Sequence, residues 1–268
     1  MKIFSGLTNP INIFSDYPIN AAELNSLGFR SEEFGLGGIV FAGCSETFGC
    51  GGTIENTWAH ILNNRLNSSH YYNLGMPGAG FQDIINTCVD YINKYVPETL
   101  FVLFPDMERM IGFYQDRYIP RVRKIGKSFM FHSSWLDDEF ISDNSPKFTK
   151  YSEFREFDYF NLFVTFLLAI KMFENFCKSN NVKLYWGTWV DESHSRDSFN
   201  LNKHIQDYLV KNEGEINNYV YVAYKDIKEL KDDVINTGLS FVKDDGHLGS
   251  VYHKHWADRF ELAIRQQN

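Results

Sequence analysis

The sequence predicts an α/β fold in which helices cover both faces of a parallel β-sheet. Five short, mostly apolar segments have the composition of buried strands: 39–42, 71–74, 100–104, 182–186 and 219–223. Segments with apolar residues at helical spacing lie between them. Strands that alternate with helices indicate parallel βαβ units. We therefore expect a three-layer α/β/α sandwich with a five-stranded parallel sheet.

The first half of the chain supplies two strands and two helices in alternation. Glycines bound the apolar run at 39–42, and Thr53 is placed to cap a helix whose apolar positions follow a 3.6-residue spacing. A second strand at 71–74 precedes a helix with its apolar face running from Phe81 to Val96, which Pro97 ends.

The second half begins with the unbroken apolar run 100–104, which is typical of a strand buried on both faces. The following segment, 106–155, is too long and too irregular for a connection, so we expect an inserted lid or subdomain within one domain spanning 1–268. The apolar window 159–177 contains Lys171 and Glu174, which favours a core helix over a membrane span.

Composition and charge exclude several classes of protein. Apolar residues make up 44% of the 268 residues and charged residues 22%, which is ordinary for a globular domain and excludes a disordered chain. The net charge of −8 argues against nucleic-acid binding. Four cysteines without a C-x-x-C pair predict free thiols, and the first residues lack an apolar signal segment, so we expect a cytoplasmic protein.

The residues that follow the first predicted strand form a glycine-framed turn. This turn, 43–49, places Ser45 at the carboxyl end of the strand, where ligands bind in open α/β sheets. Taken alone, the segment favours an ordinary turn serine, because serine and glycine are common turn residues. The pattern differs from the G-x-S-x-G nucleophile elbow of α/β-hydrolases.

A serine nucleophile needs a base and a group that orients the base, and both occur late in the chain. The spacing of Asp244 and His247 lets a carboxylate reach the Nδ1 atom of the imidazole from a turn. A surface turn before a C-terminal helix is the alternative. In addition, Gly78 lies in a glycine-rich turn after the second strand, where open backbone N–H groups suit an oxyanion, although a tight strand–helix connection also requires glycine.

Together these segments resemble the SGNH hydrolase superfamily, also called GDSL-type esterases and lipases, over most of the chain. The first family block, G-D-S-x-T-x-G, matches 43–49 with Cys44 in place of the Asp. The second block, N-x-x-x-x-G, matches Asn73 and Gly78, and the last, D-x-x-H, matches Asp244 and His247. The resemblance implies a flavodoxin-like fold.

The resemblance also implies a role for each matched residue. Ser45 would be the nucleophile, His247 the general base and Asp244 its orienting partner, with Asp245 as the substitute for Asp244. The backbone N–H groups of Ser45 and Gly78 would form two donors of the oxyanion hole.

The third family donor, an Asn after the third strand, is missing. Asp106 occupies that region, and an ionised carboxylate there would repel an oxyanion. Either Asp106 faces elsewhere, pairing with Arg109, or the hole relies on two donors and another group.

A metal site is not expected, although His253 and His255 lie near His247. Positions 253 and 255 of a helix point to different faces, and no third ligand has a standard spacing. The triad chemistry requires neither a metal nor an organic cofactor.

The sequence therefore predicts an SGNH-type serine ester hydrolase. The resemblance implies a small-molecule or carbohydrate acyl ester as substrate, with O-acetyl groups on a carbohydrate preferred. The acidic charge and the interrupted apolar window predict no nucleic-acid or membrane partner. Two alternatives stay open: an O-acyltransferase using the same triad, and a catalytically degenerate binding protein with the same fold, which the missing Asn and Cys44 favour. The oligomeric state is not determined by the sequence.

Overall fold

The computed structural model is an α/β structure with a parallel sheet between two helical layers. The structure describes residues 23–105, 107, 109–114, 117–125, 128–131, 159–189, 201–212, 214, 216–223, 235–242 and 247–267. The strands are β1 (Ile39–Gly43), β2 (Tyr71–Gly75), β3 (Thr99–Phe104), β4 (Arg109–Tyr114), β5 (Arg117–Ile125), β6 (Ser128–Phe131) and β7 (Lys183–Thr188). The helices are α1 (Ser45–Phe48), α2 (Trp58–Leu66), α3 (Phe81–Tyr95), α4 (Tyr159–Ser179), α5 (Leu201–Lys211) and α6 (Ser250–Gln267).

The main sheet has the strand order β2-β1-β3-β7, and all its neighbours pair in parallel. Alternate side chains of each strand enter two separate apolar cores. On β1, Val40 and Ala42 face the core beneath α3 and α4, whereas Phe41 faces the core beneath α2 and α6. This alternation confirms the three-layer arrangement, because each face of a strand is buried by its own helical layer.

Aromatic rings hold the central strands in register on the second face. Phe41, Phe101 and Tyr185 are aligned across β1, β3 and β7. Their rings stack at centroid distances of 5.4 Å and 5.2 Å. Stacked rings on neighbouring strands stabilise the pairing beyond the burial of their surface.

The prediction of five strands is wrong, since the sheet has four strands within the described residues. The segment expected as the fifth strand, 219–223, makes one parallel bridge from Tyr219 to Trp186. Two backbone hydrogen bonds flank the bridge, and the described pairing ends there. A Cβ atom on Gly187 would lie 2.9 Å from the side chain of Val222. The segment therefore packs over the glycine instead of continuing alongside β7.

The cap of α2 also differs from the prediction. Residues 54–56 form a separate 3₁₀ turn, and α2 begins at Trp58. Its N-cap is Thr57, whose hydroxyl accepts from the N–H of His60 at 3.3 Å. The expected cap, Thr53, instead precedes the 3₁₀ turn. The threonine closer to the buried tryptophan provides the cap because the helix begins where its apolar face meets the core.

The predicted insertion contains a second sheet. Strands β4, β5 and β6 pair antiparallel in that order. The rest of the segment lies outside the described residues, and the lid function stays a prediction. The window expected as a core helix is α4, with Phe166 and Ile170 fully buried. Within the described part of the chain, no helix combines the length and apolarity of a membrane crossing.

Candidate active site

The glycine-framed turn after β1 forms a four-residue helix with Ser45 at its N-terminus. Ser45 is 6% exposed, and its hydroxyl lies 3.9 Å from the Cys44 sulfur. Gly49 ends the helix with a φ of 83°, and its N–H donates to the Ser45 carbonyl at 2.9 Å. The left-handed conformation explains the glycine at that position.

Glycine is also required where α1 lies against the strand ends. A Cβ atom on Gly75 would overlap the backbone of Phe48 and lie 2.7 Å from the carbonyl carbon of Thr47. Gly75 is paired with Gly43, the last residue of β1. The two glycines allow α1 to pack directly onto the carboxyl ends of β1 and β2.

Asn73 fixes α1 from the second strand. Its side-chain amide donates to the Thr47 carbonyl at 2.8 Å, and its Oδ1 accepts from the Gly75 N–H at 2.7 Å. Asn73 is 4% exposed, so these bonds are made away from water. The Asn of the second motif block is thus a buried link between β2 and the helix that carries Ser45.

Gly78 lies in the turn between β2 and α3. The turn spans Met76 to Ala79, with the Ala79 N–H donating to the Met76 carbonyl at 3.0 Å, and Gly78 has a φ of 71°. Proline followed by a left-handed glycine is typical of a type II turn. The Met76 N–H donates to the Gly43 carbonyl at 2.9 Å, which holds this turn beside the end of β1.

The two backbone amides expected to bind an oxyanion are those of Ser45 and Gly78. Within the described part of the chain, these two N–H groups donate to no protein acceptor and are open in that sense. Ser45 occupies the first position of α1, where the N–H has no intrahelical partner. The arrangement leaves two backbone donors at neighbouring strand ends.

A buried carboxylate joins the first motif block to the last. Both carboxylate oxygens of Glu46 lie 3.3 Å from the N–H of Leu248, and Glu46 is 4% exposed. Glu46 follows Ser45 directly, and Leu248 follows His247 directly. Segments 202 residues apart in the chain therefore meet beside both Ser45 and His247. His247 itself is half-buried.

A second histidine, His253, lies next to the Glu46 carboxylate. Its Nδ1 accepts from the Trp58 N–H at 2.9 Å, and its Nε2 lies 3.7 Å from a Glu46 oxygen. Burial, with a smaller contribution from the nearby His247, lowers the pKa of His253 to about 3, although a hydrogen bond to the Leu248 backbone acts in the opposite direction. An Nδ1 atom that accepts a hydrogen bond carries no proton, so the neutral ring carries its hydrogen on Nε2. We therefore assign a neutral His253, despite the carboxylate nearby.

Arg30 supports the opposite end of α1. Its guanidinium donates to the Gly49 carbonyl at 2.6 Å and pairs with Glu23 at 2.6 Å. Arg30 is 7% exposed. This cation lies beside the last carbonyls of the helix, which is the favourable position for positive charge.

The structure brings together Ser45, Gly78, Asn73 and the segment of His247. Asp106, Asp244 and Asp245 lie outside the described residues, as does the side chain of Arg109.

Glu46 and Arg30 were not singled out from the sequence, because each acts through a distant contact. Glu46 had one local signal, an acidic residue in the first turn of a helix.

The four cysteines of the chain all lie among the described residues. All four cysteines are reduced and buried, as the sequence predicts. Burial raises the pKa of Cys88 and raises that of Cys177 to about 12, so both stay protonated at neutral pH. Within the described residues, no three or more His, Cys, Asp or Glu side chains are grouped to hold a metal ion.

Several solved structures resemble this chain. A lipolytic protein of the G-D-S-L family from Desulfitobacterium hafniense is 13% identical with a TM-score of 0.49, over 84% of this chain and 98% of that chain. A catalytic mutant of an acetylxylan esterase from Geobacillus stearothermophilus is 13% identical with a TM-score of 0.46, over 87% and 96%. A GDSL-like lipase from Bacteroides thetaiotaomicron is 12% identical with a TM-score of 0.45, over 86% and 89%.

These three likenesses extend over most of each chain at low sequence identity. No family model matches the sequence, and no curated protein sequence matches it. The roles of individual residues therefore rest on the motifs and on the contacts described above.

Proposed function

We propose that this protein is a serine ester hydrolase in which Ser45 is the nucleophile and His247 the general base. The contact between Glu46 and Leu248 carries the proposal, because it joins the turn of Ser45 to the segment of His247. The two motif blocks are thus adjacent in space although they are at opposite ends of the chain. The open amides of Ser45 and Gly78 add two donors suited to a developing oxyanion.

The proposed reaction proceeds through an acyl-enzyme. Ser45 Oγ attacks the ester carbonyl while His247 accepts its proton, and the carbonyl oxygen gains negative charge beside the two open amides. The tetrahedral intermediate collapses as His247 returns the proton to the leaving alcohol. A water molecule, deprotonated by His247, then attacks the acyl-serine, and His247 returns the proton to Ser45 Oγ as the bond to the acyl group breaks and the carboxylic acid leaves. We assign Asp244 to hold the imidazole, with Asp245 as the alternative.

The substrate class we propose is an acyl ester, and O-acetylated carbohydrates are the first compounds to assay. An O-acyltransferase shares the first half of the reaction and differs in that a sugar hydroxyl replaces water. The ratio of transferred to hydrolysed acyl product separates the two activities.

Covalent labelling tests the nucleophile without a known substrate. A fluorophosphonate should add once to the wild-type protein, as detected by intact mass, and should fail to add to Ser45→Ala and His247→Ala. Ser240→Ala is the matched control for the first variant, because Ser240 is a comparably buried serine whose hydroxyl donates to a carbonyl. His60→Ala is the control for the second, since it removes a half-buried histidine on α2.

The labelling pattern decides between the candidate functions. Both control variants should label at the wild-type rate. A folded wild-type protein that acquires no adduct would refute the hydrolase and favour the degenerate binding protein. An adduct that persists in Ser45→Ala would show that another residue is the nucleophile.

A further inference from the structure

Glu46 is a buried carboxylate that contacts the segment carrying the proposed base. Its two oxygens share the N–H of Leu248 at 3.3 Å, and Leu248 is joined by one peptide bond to His247. The carboxylate is equally close in sequence to the proposed nucleophile, Ser45. A displacement of Glu46 would therefore change the position of one reacting group relative to the other.

His253 limits where the Glu46 side chain can lie. The Trp58 amide that binds His253 Nδ1 is the first N–H of α2 and has no partner within its own helix. The rings of Phe241 and Trp256 lie 5.0 Å from the His253 ring, measured between centroids, and enclose it. This ring is fully buried and fixed on three sides, with its Nε2 facing the Glu46 carboxylate at 3.7 Å.

A second buried glutamate shows what a purely structural role would be. Glu174 on α4 accepts from the Trp186 indole at 2.9 Å and from the backbone N–H groups of Asn217 and Asn218 at 3.2 Å and 3.0 Å. It is 8% exposed, close to the value for Glu46. Glu174 ties α4 to a loop, whereas Glu46 ties together the two segments that carry Ser45 and His247.

We propose that Glu46 is a positioning residue of the hydrolytic site, which sets the separation of Ser45 and His247 by holding the N–H of Leu248. The inference rests on the proposed function, because it assigns Glu46 a role only if Ser45 and His247 react. Misplacing a catalytic group by about 1 Å costs on the order of 10²-fold in rate. The effect of losing this contact should accordingly appear in the chemical step.

Three substitutions separate the hydrogen bond from the bulk of the side chain. Glu46→Ala removes the carboxylate that accepts from the Leu248 N–H. Glu46→Asp keeps the carboxylate but shortens the side chain by one methylene group, so the acceptor lies farther from Leu248. Both should slow fluorophosphonate labelling of Ser45 by on the order of 10²-fold. Glu46→Gln keeps an oxygen that can accept from Leu248, so its labelling rate should stay within about tenfold of the wild-type rate.

Steady-state kinetics with p-nitrophenyl acetate provide the second measurement. We expect kcat of Glu46→Ala and Glu46→Asp to fall while KM stays near the wild-type value, because the binding surface is unchanged and the attack geometry is lost. Glu174→Ala is the matched control, since it also removes a buried carboxylate that accepts backbone hydrogen bonds. It should lower the denaturation midpoint without slowing the labelling of the folded protein.

Each outcome decides for or against the role of Glu46. Wild-type labelling rates in Glu46→Asp, with Ser45 still the labelled residue, would overturn the positioning role and leave the hydrolase intact. Slowing by Glu174→Ala as large as that by Glu46→Ala would overturn it too, and so would a Gln variant as slow as the Ala variant. If Glu46→Ala does not fold, the Asp and Gln variants decide. An unlabelled wild-type protein would refute the hydrolase itself, and the positioning role with it.

Discussion

The buried His253 predicts how the stability of this protein depends on pH. Its ring accepts a hydrogen bond from the Trp58 amide, and burial lowers its pKa to about 3 from the ordinary value of 6.5. An unfolded chain would bind a proton to this histidine below pH 6.5, whereas the folded protein would not. The contribution of the neutral His253 to the free energy of unfolding is therefore fully present above pH 6.5 and is lost progressively as the pH falls toward 3.

The size of the stability change follows from the difference between the pKa values of His253 in the folded and unfolded states. Between the two pKa values the unfolded state binds about one more proton, which lowers the free energy of unfolding by about 1.4 kcal/mol per pH unit. From pH 7 to pH 5 the loss attributable to His253 should be about 2 kcal/mol. This interval lies above the ordinary pKa of most carboxylates, so their protonation interferes little.

The assay is chemical denaturation of the wild-type protein and of His253→Asn at pH 7 and pH 5. The Asn oxygen can replace Nδ1 as the acceptor for the Trp58 amide, and Asn does not titrate. The stability of the variant should fall by about 2 kcal/mol less than that of the wild type. Equal losses would refute the neutral buried ring. A wild-type protein that gains stability relative to the variant on acidification would show a charged His253 paired with Glu46, which is the opposite sign.

Four further substitutions test the placement of α1 and α2. Gly75→Ala would force a Cβ atom onto the Phe48 backbone, so we expect a loss of more than about 2 kcal/mol in unfolding free energy, measured by urea denaturation, together with loss of fluorophosphonate labelling. Arg30→Met removes a buried donor from the end of α1 and should lower the unfolding free energy by about 2–3 kcal/mol in the same assay. An unchanged midpoint would show that the hydrogen bond to the Gly49 carbonyl does not stabilise this end of the helix. Thr57→Ala should lower the unfolding free energy by about 1 kcal/mol and Thr53→Ala by much less, and equal losses would contradict the assigned cap.

The strands of the main sheet were predictable because they are buried on both faces. The run from Leu100 to Phe104 contains no polar residue, which a half-exposed strand would need. β1, β2, β3 and β7 lie where the sequence predicts them. The same composition does not specify strand pairing, which is why the segment 219–223 was expected to be a full strand. Its single bridge depends on the packing of Val222 over Gly187, a contact between distant parts of the chain.

The turns of the candidate site were predictable for a different reason. Gly49 and Gly78 have φ values of 83° and 71°, which other residues rarely adopt, so glycine in the sequence indicates the turn itself. The prediction that Ser45 lies in a glycine-framed turn follows from the same signal. No local sequence pattern identifies the residues that these turns contact. Glu46 is one acidic residue among many until its contact with Leu248 is known.

Helix α1 illustrates why the site depends on long-range contacts. Four residues are too few for a stable helix in water, because the conformational entropy lost in nucleating the helix outweighs the free energy gained from one turn of hydrogen bonds. Each residue after Ser45 is held by distant parts of the chain. The Leu248 amide donates to the Glu46 carboxylate, and Arg30 donates to the Phe48 carbonyl. The Thr47 carbonyl accepts from the Asn73 side chain, and its hydroxyl accepts from the Trp58 indole. These partners belong to the segment before α6, to β2, to α2 and to the chain preceding β1. The orientation of Ser45 is therefore a property of the assembled fold, and variants at these partners should alter the reactivity of the serine without touching it.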